Sequence, residues 1–323
     1  MMSQLVDGAL ELTIVGSYSR IGYSWRSRLE QWAPPDRVEG RVVVVTGATS
    51  GIGRSIADEL AGLGAVVIVV GRDESRGEST VKAIIEGTDN GEVSFERADL
   101  SRLADVIDLA DRVAQSHPRL DVLVHNAGAL SRACVRTEDG LELTVAVHVV
   151  APFLLTHLLM GQLRAAPDGR VITMSSGGMY SQRLDVAGLQ PHADDYDGVK
   201  AYARAKRAQV ELTRLWDLHQ GGSGVRFVAM HPGWVATSGL DSGLPGFARL
   251  VRPALRTPAQ GADTAVWLAT APSAVLDEGR FWLDRRPRRE HLVPWTHSPP
   301  AEPQRLWEWC MENAGLHRPF SQG

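Results

Sequence analysis

Two tyrosines in this sequence stand four residues before a lysine: Tyr196 before Lys200, and Tyr202 before Lys206. On a helix, residues four apart share a face. A lysine charge beside a phenol favours the phenolate and lowers a pKa of about 10 toward the working range. A phenol so tuned can give or take an alcohol proton. The first pair encloses Asp197-Gly198, a turn dipeptide that interrupts a regular helix. The second opens Tyr202-Ala203-Arg204-Ala205-Lys206-Arg207-Ala208-Gln209-Val210, a run rich in helix formers. Tyr202 and Lys206 are therefore the acid/base candidates. The 10 histidines and 2 cysteines show no metal-ligand spacing, and no metal is expected.

A second candidate site is the stretch Val42-Val43-Val44-Val45-Thr46-Gly47-Ala48-Thr49-Ser50-Gly51-Ile52-Gly53. A β-branched run enters a glycine-rich turn, and an amphipathic segment, Arg54 to Leu63, leaves it. That is strand, turn and helix, the opening of a dinucleotide-binding fold. Glycine has no Cβ, so backbone there can approach a pyrophosphate closely. The helix N-terminus behind it offers unpaired N–H groups and a positive dipole end. The spacing is neither Gly-x-Gly-x-x-Gly nor a P-loop, and taken alone it leaves open a βα turn with incidental glycines. The next apolar run, Ala65 to Val70, ends at Gly71-Arg72. A carboxylate at that point suits the ribose 2′-OH of NAD, and an arginine suits the 2′-phosphate of NADP. Arg72 thus favours NADP(H) over NAD(H), with Arg54 as a further charge. Asp73 next door complicates the reading, and a plain solvated arginine is its alternative.

Stepping outward, 323 residues suffice for one large α/β domain with extensions. A hydrophobic fraction of 44% and a charged fraction of 22% are ordinary for a globular chain. The net charge of −4 argues against a general nucleic-acid binder. Cys134 and Cys310 lie far apart, which fits a reducing, cytoplasmic setting. No apolar run approaches the roughly 20 residues that span a bilayer, and no signal peptide is apparent. In residues 1–39, Leu12, Ile14, Tyr18, Ile21, Tyr23, Trp25 and Trp32 alternate with Arg20, Arg26 and Arg28. This segment reads either as an amphipathic helix on a membrane surface or as an aromatic face packed on the domain or a second subunit.

The elements that must position these residues alternate. Strands are predicted at 42–46, 65–70, 93–97, 120–125, 170–175, 225–230 and 279–283, and Ser101 is the expected cap of the helix that follows the third. A long helix is predicted from Glu138 to Leu163, interrupted by Pro152, with further helices from Tyr202, over 257–270 and over 302–313. The β-α alternation predicts a doubly wound parallel seven-stranded sheet of α/β class. Its expected boundaries are an N-terminal extension at 1–39, a domain at 40–285 and a C-terminal tail at 286–323. Residues 238–256 mix Gly239, Gly243 and Gly246 with Leu240, Leu244 and Phe247, reading either as a lid over an apolar substrate or as a plain surface loop.

Thr46-Gly47-x-x-x-Gly51-Ile52-Gly53, Asp99, Asn126-Ala127-Gly128, Ser175-Ser176 and Tyr202-x-x-x-Lys206 together resemble the single-domain branch of the short-chain dehydrogenase/reductase family. The resemblance covers about residues 40–285. The phrases His125-Asn126-Ala127-Gly128, Ser175-Ser176-Gly177-Gly178-Met179, Met230-His231-Pro232-Gly233-Trp234 and Gln260-Gly261-Ala262-Asp263-Thr264 narrow it to one subgroup with extensions at both ends. It implies a Rossmann fold and a Ser-Tyr-Lys site. Ser176 polarises the substrate carbonyl, Tyr202 is the acid/base, and Lys206 lowers its pKa and holds the nicotinamide ribose. Thr46, Gly47, Thr49, Ser50, Gly51, Ile52, Gly53, Arg72, Asp99, Leu100, Asn126, Ala127, Gly128, Pro232, Gly233, Val235 and Thr237 are the implied remaining cofactor contacts. The gap between Ser176 and Tyr202 exceeds the family's shortest version, as in members with an insertion there. His148 departs from the pattern, because an asparagine usually stands at this helix kink, its backbone carbonyl holding a water that links the lysine to solvent. Pro152, four residues on, has no N–H for that carbonyl. Either the His148 carbonyl keeps the role, or its imidazole joins the relay, or Pro152 merely bends the helix.

The expected activity is interconversion of a carbonyl and an alcohol by hydride transfer with NADP(H), the protein supplying the proton. The alternative is a catalytically weak NADP-binding regulatory or scaffold protein. The expected partners are a small, apolar carbonyl or alcohol and further copies of the chain in a homo-oligomer.

Overall fold

The computed structural model describes Asp7, Leu10 and residues 13–237, 245–277 and 279–316. Its strands are β1 (Val42–Thr46), β2 (Val66–Gly71), β3 (Val93–Arg97), β4 (Val122–His125), β5 (Arg170–Met174), β6 (Arg226–Met230), β7 (Phe281–Leu283) and β8 (Arg286–Pro287). They form one sheet in the order β3-β2-β1-β4-β5-β6-β7-β8. All pairings are parallel except that of β7 with β8. The short antiparallel β8 adds an eighth strand to the seven expected.

The valine run of β1 shows why this sheet is covered on both faces. Val42 and Val44 enter one hydrophobic core and Val43 and Val45 the other, as the two-residue period of a strand requires. The described helices are α1 (Ile14–Tyr18), α2 (Arg20–Leu29), α3 (Gly51–Gly62), α4 (Glu74–Thr88), α5 (Leu103–Ser116), α6 (Leu143–Val145), α7 (Ala151–Leu158), α8 (Met160–Ala165), α9 (Gly198–His219), α10 (Pro245–Val251), α11 (Pro258–Thr270), α12 (Ser273–Leu276) and α13 (Glu302–Asn313). Thr257 and Gln260 close a capping box at the start of α11. Strand order reverses between β1 and β4, so a crevice opens at their carboxyl ends.

Several expected boundaries move. The helix read from Glu138 starts only at Leu143, because Thr137–Leu141 closes a turn and Glu142 caps the helix through the Val145 N–H, at 2.9 Å. Ala146–Val150 is a π-helical turn in which the Ala151 N–H reaches back to the Ala146 carbonyl. Pro152 follows immediately, so a residue without an N–H sits where the ladder has already slipped by one. Ser101 does not cap α5: its hydroxyl donates to Asp99 at 2.8 Å, and Asp139 accepts the Leu103 N–H at 3.0 Å. Residues 177–195, the longer gap before Tyr202, contain three 3-10 turns.

Both extensions are built into the domain. Arg26 of α2 is buried between Asp7 (2.6 Å) and Asp284 (2.7 Å), and Asp284 also pairs with Arg256 at 2.5 Å. Tyr18 and Ser17 face inward, while Ile21 and Trp25 are 50% and 53% exposed. In the tail, Trp307 of α13 packs on Phe153 and Trp216, with ring centroids 5.0 and 4.9 Å away. The described part of the tail therefore completes the main core.

Candidate active site

The glycine turn lies at the topological switch point. Gly51 has φ +56°, a conformation that L side chains rarely adopt, and among the described residues only the Thr237 methyl comes near its open face. A Cβ on Gly53 would lie 2.3 Å from the Asn126 side-chain nitrogen. Ser50 precedes α3 without a side-chain capping bond, leaving the first-turn N–H groups without that partner. An open glycine face above a helix N-terminus suits an anionic pyrophosphate.

Neighbouring residues hold this cradle rigid. The Asn126 side chain donates to the Thr46 carbonyl at 2.9 Å and the Gly47 carbonyl at 3.2 Å. The buried Thr46 hydroxyl donates to Val124 and accepts the N–H groups of Asn126 and Ala127. Thr46 thus joins β1 to β4, and its side chain is spent on that junction. Leu100 is likewise buried in the core by its side chain. One Asp99 oxygen accepts the N–H and hydroxyl of Ser101. Gly128, at the far side of the crevice, lies against the His148 ring.

At the end of β2, a Cβ on Gly71 would lie 2.6 Å from the Thr49 methyl, so this position has no room for a carboxylate. Arg72 is exposed, and the Arg97 guanidinium reaches its carbonyl at 3.4 Å. Asp73 is engaged elsewhere as the cap of α4: the Arg76 N–H and then the Ser75 hydroxyl hold its carboxyl below the usual range. Arg54, the further charge expected near this end, is paired with Asp58 one turn along α3 at 3.0 Å. On the β6 side, the half-buried Pro232-Gly233 turn leads to Val235, which bridges Arg256, and on to Thr237 over Gly51. Val235 also packs on Gly261, as does Ile52.

The four residues proposed from sequence for chemistry come together. Ser176 follows β5, and its hydroxyl lies near enough to the Tyr202 phenol to favour the phenolate. Lys206 lies one turn along α9 with its Nζ 5.4 Å from the Tyr202 ring centre. The His148 ring meets Tyr202 edge-on at 5.4 Å. The Lys206 side chain is buried and donates to the Met174 carbonyl at 2.8 Å. Burial pushes its pKa down to about 7. Burial also pushes the Tyr202 phenol up, and the neighbouring Ser176 hydroxyl offsets only part of this. The lowering expected from the lysine is not among the effects that dominate at Tyr202.

His148 is held uncharged, its pKa far below the usual imidazole range through burial and then the nearby Lys206 charge, opposed by a hydrogen bond to Ala129. Its Nε2 lies 3.0 Å from the Ala129 nitrogen and 2.9 Å from the Ala129 oxygen. One imidazole nitrogen serves only one of these at a time, because it is a donor in one tautomer and an acceptor in the other. The ring therefore ties the π turn to the loop after β4 and carries no charge to exchange at neutral pH.

The rival pair is separated. Asp197 caps α9 through the Val199 and Lys200 N–H groups, so Tyr196 precedes the helix. Its hydroxyl donates to the buried Glu142 at 2.9 Å. Burial pushes its pKa up to about 12, with Glu142 adding to the rise. Lys200 is exposed.

A sequence model described as short chain dehydrogenase matches residues 41–243. This chain belongs to that family. The dehydrogenase/reductase SDR family member 12 of Bos taurus is 40% identical over 302 residues, covering 92% of this chain and 94% of that protein. It belongs to the subgroup singled out by the four local phrases. A crystal structure of an uncharacterized Mycobacterium paratuberculosis protein superimposes with a TM-score of 0.70 at 27% identity, covering 90% of this chain and 99% of the other. An Escherichia coli CFT073 short chain dehydrogenase complexed with NADPH gives a TM-score of 0.63 at 26% identity, covering 77% and 98%. Membership makes the chain an oxidoreductase on a Rossmann-type scaffold, a class that acts on small molecules with NAD(P)(H).

Sequence reasoning did not find Met174, Arg97, Arg256 or Tyr18. Met174 and Arg97 act through backbone register, which sets them beside Lys206 and Arg72. Arg256 and Tyr18 come from segments remote in sequence and carry no local motif.

Proposed function

We propose that the protein is an NADP(H)-dependent oxidoreductase that interconverts a small apolar carbonyl and its alcohol. The observation that carries this reading is the convergence of Ser176, Tyr202 and Lys206 beside the glycine turn. Gly47, Gly51 and Gly53 with the start of α3 would hold the pyrophosphate, Arg72 and Arg97 the 2′-phosphate, and Asn126 and Thr237 the walls of the crevice. When bound, the nicotinamide supplies or accepts the hydride. The protein handles the proton. Ser176 and Tyr202 present paired hydroxyls to one substrate oxygen, and Tyr202 passes its proton to that oxygen in the reductive direction. Lys206, with its Nζ 5.4 Å from the Tyr202 ring centre, is the adjacent cation that favours the phenolate this leaves. His148 and the π turn hold the loop after β4 against this group.

The apolar substrate rests on residues 238–256, of which 238–244 lie outside the described residues. The regulatory alternative rests on His148 in place of the usual asparagine, and a pure binder has no use for three co-located reactive side chains. The test combines cofactor titration with turnover on a panel of aldehydes, ketones and alcohols. One charge-assisted contact to the 2′-phosphate is worth about 1.5–3 kcal/mol, or roughly 10- to 150-fold in affinity. NADPH should bind more tightly than NADH by that factor, and Arg72→Ala should erase most of the difference. Equal binding of both by the wild type overturns the cofactor assignment. Tight NADPH binding without turnover of any panel member leaves the regulatory reading.

A further inference from the structure

The family match begins at residue 41, yet a residue well before it touches the candidate site from behind. Tyr18 ends α1. Its ring packs on the backbone of Gly177, the residue after Ser176: a Cβ on Gly177 would lie 2.8 Å from a Tyr18 ring carbon. The same ring meets His231 edge-on at 4.5 Å and Trp234 at 6.1 Å. The Tyr18 carbonyl accepts the Trp234 N–H at 2.8 Å and the Arg256 Nε at 3.1 Å. One residue therefore braces both the loop after β5 that carries Ser176 and the Pro232-Gly233-Trp234 turn after β6. Its own place is set by buried groups. Arg256 also binds the carbonyls of Ser17 (3.0 Å) and Ser19 (3.2 Å), and Asp284 joins Arg256 to Arg26 of α2.

We infer that residues 17–19 form a fixed strap behind the substrate site, and that Tyr18 is a positioning residue for Ser176. This rests on the reading of Ser176 as the group that holds the substrate oxygen. The ring packs against Gly177, so the turn that carries the Ser176 hydroxyl, which accepts the Gly178 N–H at 3.3 Å, is held from that side. Removing the ring frees that turn while leaving the glycine turn and α3 untouched.

The test compares wild type with Tyr18→Ala and Tyr18→Phe, with Ser176→Ala as reference. Misplacement of a reacting group by about an ångström costs on the order of 100-fold, so Tyr18→Ala should lose about 10- to 100-fold in kcat. Its NADPH affinity should fall by less than its kcat, because the glycine turn is untouched and only the Pro232-Gly233 turn is loosened, and Tyr18→Phe should recover most of the rate. Amide hydrogen exchange gives a readout independent of turnover. In Tyr18→Ala, peptides covering 175–181 and 231–235 should exchange faster, while those covering 42–62 should not change. A folded Tyr18→Ala with wild-type kcat, or with unchanged exchange in 175–181, overturns the strap. If Tyr18→Ala does not fold, the same readouts on Tyr18→Leu, which keeps bulk but not the planar ring, decide in the same way. Wild-type activity in Ser176→Ala instead overturns the role of Ser176, and the exchange comparison then judges the strap alone.

Discussion

Phenylalanine at each of the two tyrosines separates chemistry from scaffolding. Tyr202→Phe removes the phenolic hydroxyl near Ser176 and leaves the ring in contact with His148 and Lys206. Losing a general acid costs typically 100- to 10,000-fold, or about 2.7–5.5 kcal/mol in barrier. NADPH affinity should hardly change, because the glycine turn, Arg72 and Arg97 are not touched. Tyr196→Phe removes the 2.9 Å hydrogen bond to Glu142, whose other oxygen still accepts the Val145 N–H. A hydrogen bond to a charged group is worth about 1.5–3 kcal/mol, so this variant should melt several degrees lower and keep most of its kcat. The assays are steady-state kinetics, NADPH fluorescence titration and thermal melting on both variants. The opposite pattern, with Tyr196→Phe inactive and Tyr202→Phe active, would falsify the assignment of the acid/base to Tyr202 of α9.

Other outcomes follow from the buried charges. His148→Asn should stay within about tenfold in kcat, about 1.4 kcal/mol, since an amide carries both a donor and an acceptor for Ala129; a loss beyond a hundredfold would show that the ring itself is required. Lys206 has a folded pKa of about 7, below its unfolded value of about 10.5. The unfolded chain therefore binds more protons in that window, and stability should rise with pH from about 7 toward 10. Lys206→Met should remove most of that slope in denaturant melts and be the more stable protein at pH 7, though inactive; an unchanged slope would refute the buried amine as its source. At the other end, burial pushes Asp284 up but Arg256 and Arg26 outweigh it, and Asp7, likewise opposed by Arg288 and Arg26, is held at about 2. Both folded pKa values lie below the unfolded one, so this stabilisation is present above about pH 4 and fades as pH falls toward 2. Asp284→Asn should cost about 3–5 kcal/mol by leaving the buried Arg256 guanidinium without its carboxylate, while Arg26 keeps Asp7; a variant with wild-type stability would show that Arg256 finds another partner.

The sheet was legible because its signals are local. A continuous β-branched run marked Val42–Val45 as a strand, helical spacing marked α5, helix formers marked α9, and the glycines at 47, 51 and 53 announced a turn whose sterics depend on the turn itself. The doubling of Tyr-x-x-x-Lys was also resolved locally, because Asp197-Gly198 is a turn dipeptide that breaks the first pair. Other features have no local cause. The helix at 143 begins late because Thr137–Leu141 closes a turn and Glu142 can cap it, and that alternative is invisible to apolar spacing. The π turn at His148 reflects a hydrogen-bond ladder that must pass Pro152 while staying packed. The Lys206 pKa depends on how much protein surrounds an amine whose residue type promises a full charge. Above all, Tyr18 meets Gly177, and Asp284 gathers Arg26 and Arg256, across stretches of chain that share no period. A sequence pattern records which faces want burial. Which remote faces meet, and what that does to a charge between them, is decided only when the whole chain has closed around the site.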